Sequence, residues 1–340
     1  MANILRDEGY VTQAVGKWHL GFCNAKYLPT NRGFDHHFGF WLGAQNYYTH
    51  IRDHGYDLRN DLAIAYNDNN TYSSELFAER ASSIISQHRR NTNPLFLYVA
   101  FQAVHTPLQV PENYEKIYKR VKNIKRRKFL GMVTAMDDAV GRIIKALEEN
   151  HMLQNTMIVF LSDNGGPIDQ GADNYPLRGS KGSLWEGGSR TPAFIFWQKL
   201  RPRIEQRMFH ITDWFPTFLD MIGSRHKSDE LDGVSHKKAL MGADGPWERR
   251  DMLYNAFRRN KAAMRVGDWK LIIPHKQLFN LVNDPTESKN VAKENKSVVR
   301  DIELKLVDYT RNLSIVKYPR KTPKGHPRNW KGVWRSHGWC

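Results

Sequence analysis

Residues 156–166, TMIVFLSDNGG, constrain the fold more than any other stretch. The run starts apolar and β-branched and ends in Ser162, Asp163, Asn164 and two glycines. That pattern predicts a strand buried on both faces whose carboxyl end opens into a loop. In open α/β sheets, ligands bind at that end of a strand. Asp163 offers a carboxylate and Asn164 an amide carbonyl, hard oxygen ligands suited to Ca²⁺ or Mg²⁺. Gly165 and Gly166 let the backbone turn sharply away. Taken alone, DNGG is more often an Asx-type turn without metal.

The same grammar recurs upstream. Residues 95–101, LFLYVAF, read as a second buried strand running into QAVHTPLQVP, which places His105 just past a carboxyl end. If the two strands are parallel neighbours, His105 and Asp163 project into one crevice. Residues 11–15 predict a short strand leading into GKWHLG, where Lys17 and His19 alternate about Trp18. In extended backbone they point to one side, a cation and an imidazole suited to an anion. Helices are predicted over residues 2–9, 71–90 and 129–149. The second has an apolar face of Phe77, Ala81, Ile84, Ile85 and His88, the third a core stripe of Met132, Met136, Val140, Ile143, Ile144 and Leu147. The alternation implies an α/β fold, a mainly parallel sheet flanked by helices.

Loop 28–48 is aromatic and glycine-rich, a pattern that walls a pocket or covers a core. His36 and His37 are adjacent and face opposite ways, so they are not a chelating pair. Downstream, Arg178, Lys181 and Arg190 sit among glycines in YPLRGSKGSLWEGGSR, flexible backbone with spaced cations for an oxyanion. Residues 192–197 read as a strand, and 210–222 as a helix kinked near Pro216. The composition turns polar after Gly223, which puts a soft boundary within 224–250 and suggests domains 1–225 and 226–340. The second is a small α+β unit. It has a hairpin over 263–273 turning at Gly267-Asp268, a strand at 278–281, an amphipathic helix over 297–312 and an extended basic tail from Ser314.

The formal net charge is +16, concentrated around residues 122–128 and 317–335. Such a surface suits a polyanion, but no zinc-finger or RNA-binding signature appears, so nucleic acid is not expected as a partner. Two cysteines, Cys23 and Cys340, exclude a cysteine-rich scaffold; they pair only if the termini meet. Sequons begin at Asn69, Asn295 and Asn312. No run is long enough for a membrane helix, and the first residues do not form a signal peptide. Nothing in the sequence sets an oligomeric state.

Several separated motifs then agree: GYVTQAVGKWH, FQAVHTPLQVP, FLSDNGG, PLRGSKGSLWEGG, LDGVS, GDWKLI and LFNLVNDPTESKNVA. In this order they resemble the sulfatase family, of the arylsulfatase B type, over nearly the whole chain. The resemblance implies an alkaline-phosphatase-like α/β domain, a smaller C-terminal domain, and hydrolysis of sulfate esters, either aryl sulfates or sulfated carbohydrates. It implies one divalent cation, usually Ca²⁺, and a formylglycine nucleophile made from the cysteine of a C-x-P-S-R motif. It assigns Asp163 and Asn164 to the metal. It assigns Lys17 to the formylglycine and sulfate, His19 to the diol and sulfate elimination, and His105 and Lys181 to sulfate and departure of the alcohol. It also implies a lysosomal or secreted protein. The 340 residues contain no C-x-P-S-R and no paired aspartates of the kind that complete the family's metal site. The expectation is therefore a truncated sulfatase without turnover of its own. The alternative is a non-catalytic relative binding sulfated polyanions through its basic surface.

Overall fold

The computed structural model describes residues 1–226, 231–243, 245, 248–258, 261–273, 275–311, 322–336 and 338–340. The chain forms two compact units, Met1–Thr156 with Arg320–Cys340, and Met157–Pro319, a division distinct from the compositional change at 224–250.

In the first unit, helix α1 (Ala2–Asp7) is followed by Gly9 in the left-handed region, φ +88°, where a glycine costs least. Strands β1 (Val11–Lys17), β2 (His36–Phe40), β3 (Ile51–Arg52), β4 (Gly55–Tyr56), β5 (Leu58–Asn60) and β6 (Ala63–Ile64) come next. Helix α2 (Ser73–His88), strand β7 (Leu95–Ala100) and helices α3 (Glu112–Ile117) and α4 (Ile124–Glu149) complete the unit. The sheet order is β6-β5-β2-β1-β7. Strands β7, β1 and β2 run parallel, β5 pairs antiparallel with β2, and β6 pairs antiparallel with β5. Gly16 lies between Ala100 and Gly39, and a Cβ there would sit 2.1 Å from the Ala100 carbonyl oxygen. Only glycine lets the three backbones approach this closely.

One side of the sheet packs Val15, Phe38, Phe40 and Leu58 against Leu76 and Phe77 of α2. Ala14, Trp18, Phe34 and Trp41 form a second cluster with Ala2 of α1. Each such burial contributes about 1.5–3 kcal/mol. The aromatic loop is therefore core for the most part: Phe34, Phe38, Phe40, Trp41 and Tyr47 are buried. The last residues dock on this unit. Trp334 N–H donates to the Tyr56 carbonyl, Tyr56 N–H donates to Gly332, and Cys23 and Cys340 form a disulfide with Cα atoms 5.5 Å apart. The extended tail expected from Ser314 is thus replaced, at residues 322–336 and 338–340, by two 3₁₀ turns and this docked segment; 314–321 and 337 lie outside the described residues.

The second unit holds β8 (Ile158–Leu161), α5 (Glu186–Ser189), β9 (Ala193–Phe196), α6 (Trp214–Met221) and α7 (Lys237–Leu240). Strands β10 (Asp251–Arg258), β11 (Lys261–Val266), β12 (Trp269–Ile273), β13 (Gln277–Asn280) and helix α8 (Lys296–Arg311) follow. Strands β10 to β13 form an antiparallel sheet with the predicted turn at Gly267-Asp268. Helix α8 covers it, packing Val299, Ile302 and Leu306 on Ala262, Met264, Leu271 and Leu278. Strand β10 was not legible in the sequence. Strand β8 pairs antiparallel with β9 in a two-stranded sheet, and its residues are half-buried or exposed, not buried on both faces. The parallel pairing of β8 with β7 does not form among the described residues. Pro216 does not kink a helix, because α6 begins at Trp214 and places the proline in its first turn.

Candidate active site

The six candidate residues divide three and three between the units. In the first, β1 ends at Lys17, and Gly16 pairs with Ala100 at the end of the adjacent parallel strand β7. Lys17 and the loop carrying His105 therefore leave the sheet at the same carboxyl edge, where a parallel sheet presents its ligands. Lys17 and His105 are half-buried and His19 is exposed. His19 adopts φ +53°, so the extended alternation expected across Trp18 ends one residue early. Its imidazole rests against Gly43, where an added Cβ would lie 2.7 Å from the ring.

His105 is fixed through its backbone. Buried Tyr47 donates its hydroxyl to the His105 carbonyl, 2.9 Å, and accepts the His105 N–H, 3.2 Å. Tyr47 N–H in turn donates to Gln109 Oε1, and Ser73 N–H and Oγ–H donate to the Tyr47 carbonyl. Burial pushes the Tyr47 hydroxyl far above its ordinary pKa, so it stays a donor. His105 Nδ1 lies 2.8 Å from the Thr106 carbonyl. A carbonyl only accepts, so Nδ1 carries hydrogen and Nε2 is the nitrogen for proton exchange in the neutral ring. Neither Tyr47 nor Gly43 stood out in the sequence; the one available signal was the aromatic run itself.

His37 is buried and donates Nε2–H to the Gly16 carbonyl, 3.1 Å. Burial lowers its pKa to about 4, so it stays neutral. His36 is exposed and pairs with Asp61. The two face opposite ways, as their alternation implied.

In the second unit, the turn after β8 and the loop before α5 are locked together by backbone. Gly165 N–H donates to the Gly188 carbonyl, 3.0 Å, and Gly187 N–H to the Arg178 carbonyl, 2.7 Å. A Cβ on Gly165 would lie 1.8 Å from the Gly187 carbonyl oxygen, so that crossing admits only glycine. Asn174 joins the same parts. Its Nδ2 donates to the carbonyls of Gly166 and Gly179, and its Oδ1 accepts Gly166 N–H. This brings Asp163, Asn164 and Lys181 into one loop assembly, Asp163 and Lys181 exposed, Asn164 half-buried with its Nδ2 donating to the Gly165 carbonyl. Of the other two cations, Arg178 stacks 3.8 Å over Trp185 and donates to the Glu287 carbonyl. It braces the loop from the protein side. Arg190 is exposed.

The first 224 residues match the sulfatase family model. The chain belongs to the sulfatase family. It is 34% identical to arylsulfatase J of Mus musculus over 97% of its own length and 65% of that protein. It is 27% identical to N-acetylgalactosamine-6-sulfatase of Homo sapiens over 71% of its length and 48% of that protein. The chain thus spans about half to two thirds of these relatives. Among solved structures it is similar to Ps i-CgsB, with TM-score 0.85 and 29% identity over 97% of this chain and 77% of that one. That protein has also been solved with k-i-k-neocarrahexaose. The fold is the alkaline-phosphatase-like fold of these sulfatases, with a mixed sheet flanked by helices in the first unit and a small antiparallel sheet in the second.

As a cation site in this sulfatase, Asp163 and Asn164 fit in kind and fall short in number. Ca²⁺ takes six to eight oxygens. Among the described residues no three His, Cys, Asp or Glu side chains converge. No described helix is long and apolar enough to cross a membrane.

Proposed function

We propose that this protein is, when complete, a sulfuric ester hydrolase acting on sulfated carbohydrates, with Lys17, His19, His105 and Lys181 binding the sulfate and moving protons. The observation that carries the reading is the placement of Lys17 and of the His105 loop at the ends of adjacent parallel strands. The loop assembly that brings Lys181 to Asp163 and Asn164 supports it. A sulfuryl group in transfer spreads negative charge over its oxygens, and fixed cations stabilise that charge where it develops. Lys17 and Lys181 supply those charges. His105, held by its backbone, offers Nε2 to the departing alcohol oxygen, and His19 serves the second proton transfer.

A bound Ca²⁺ would polarise a sulfuryl oxygen. Asp163 and Asn164 would be two of its donors. The nucleophile of the family is a formylglycine, and the 340 residues hold no C-x-P-S-R. This chain alone therefore binds the ester without turning it over. A lysosomal or secreted location belongs to the same reading, supported by the Cys23–Cys340 disulfide, since disulfides persist in oxidising compartments.

The test compares hydrolysis and binding of 4-nitrophenyl sulfate by the 340-residue chain and by Lys17→Ala/His105→Ala. Binding lost in the double variant, with no turnover in either, supports the reading; turnover well above the double variant refutes the inactivity of the chain. A second reading, polyanion binding without catalysis, draws on α4. Lys125, Arg126, Arg127 and Lys128 crowd its first turns with no acidic residue in the first. Heparin retention that survives loss of Lys17 and Lys181 would favour it.

A further inference from the structure

Lys270 is fully buried, with its ammonium 2.8 Å from Glu186 Oε1 and 2.8 Å from Glu287 Oε1. The first contact is a hydrogen bond, and the second is an ion pair whose angle falls short of one. Tyr254 donates its hydroxyl to the same Glu186 oxygen, 2.9 Å. Glu287 Oε2 accepts the Glu186 N–H, 2.6 Å, and the Glu287 carbonyl accepts from Arg178. Both glutamates are buried. Burial pushes the Glu287 carboxyl up, and Lys270 counters it. Glu287 also holds φ +54°, a left-handed conformation that a side-chain-bearing residue adopts only at a cost.

Stability alone does not account for this set. A buried ion pair repays its desolvation poorly, and apolar replacements of similar volume are often neutral or stabilising. What the charges hold is more telling. Glu186 opens α5, and its next two residues lock the site: Gly187 N–H to the Arg178 carbonyl, Gly188 carbonyl to Gly165 N–H. Arg178 and Glu186 flank Lys181 in sequence. One end of the Lys181 loop, at Glu186, is therefore held by the Glu287 carboxylate and the other, at Arg178, by the Glu287 carbonyl, and through Gly188 the DNGG turn joins them.

We propose that Lys270, Glu186 and Glu287 are positioning residues that fix the Lys181 loop and the DNGG turn for anion binding. The anion-binding part rests on the reading of Lys181 as a sulfate ligand. The test uses the 340-residue chain carrying Lys270→Met/Glu186→Gln/Glu287→Gln, which removes the three charges together at similar volume. Amide hydrogen exchange of residues 178–188 and 163–166 is followed beside the urea midpoint and the affinity for 4-nitrophenyl sulfate.

The expected result is a near-native midpoint, exchange at least tenfold faster in those two segments, unchanged exchange in β11–β13, and affinity about tenfold weaker. Loop exchange as in the wild type overturns the proposal. So does acceleration spread through β11–β13 with a lowered midpoint, which marks a general structural role. Should the triple variant not fold, Glu287→Gln alone carries the test. It keeps the acceptor for Glu186 N–H, and at least threefold faster loop exchange is expected; native exchange overturns the proposal. If wild-type affinity is indifferent to Lys181→Ala, the sulfate-ligand reading fails, while the exchange result still decides the positioning.

Discussion

Tyr47 grips His105 by both backbone groups, accepting its N–H at 3.2 Å and donating to its carbonyl at 2.9 Å. A buried phenol used in this way sets the position of the histidine through its backbone. Tyr47→Phe leaves both His105 backbone groups without that partner, at a cost of about 1–3 kcal/mol. We expect a lower urea midpoint together with weaker binding of an aryl sulfate. A midpoint loss with unchanged binding would separate Tyr47 from the site.

Gly43 gives His19 its space. The atoms an added Cβ would meet, 2.7 Å away, belong to the end of an exposed side chain, which moves at little cost. Gly43→Ala is expected to leave stability within about 0.5 kcal/mol, as for a surface substitution, while shifting the His19 imidazole resonances in an NMR spectrum. Unmoved resonances would contradict the contact.

Asp213 predicts an acid limb in the stability curve. It is fully buried. Burial alone would raise its pKa, but His236, Arg249 and the backbone N–H groups of His210 and Val234 outweigh that and hold the carboxyl well below the ordinary range. With the folded value depressed, its contribution is present above the unfolded pKa, about 3.9, and is lost as pH falls below it towards the folded value. Urea midpoints from pH 6 to pH 2 should fall steeply below about pH 4. Asp213→Asn should lower the plateau by about 3 kcal/mol, as breaking a buried pair does, and flatten that fall.

The Cys23–Cys340 disulfide fastens a segment rich in tryptophan. Phe22 meets both Trp334 and Trp339, and Trp339 N–H donates to the Cys23 carbonyl. Cys23→Ser/Cys340→Ser is expected to lower stability by about 2–4 kcal/mol and to red-shift tryptophan emission before global unfolding. A single coincident transition at the wild-type midpoint would contradict this.

The strands and helices with strong periodicity were legible. GYVTQAVGKWH gave β1, LFLYVA gave β7, and the apolar stripes gave α2, α4 and α8 within a few residues. The chemistry of the site was legible only as residue types at strand ends. What holds those residues was not. Tyr47 and Lys270 act on partners 58 and 84 residues away in sequence, and Asn174 acts on backbone groups of two neighbouring loops, pairings that a single sequence does not encode locally. The neighbour of β8 was also hidden, since an apolar run announces burial and leaves its partner open. Strand β10 opens on Asp251, closes on Arg258 and interrupts its alternation with register shifts, which masked it.

The most direct test of the sulfate-ester reading is calorimetric titration of the 340-residue chain with 4-nitrophenyl sulfate, repeated for Lys17→Ala, His105→Ala and Lys181→Ala. The account predicts measurable binding in the wild type, weakened at least tenfold by each substitution, from both units alike. Equal affinity in all four proteins, or loss only when the cations at 122–128 are removed, would contradict it.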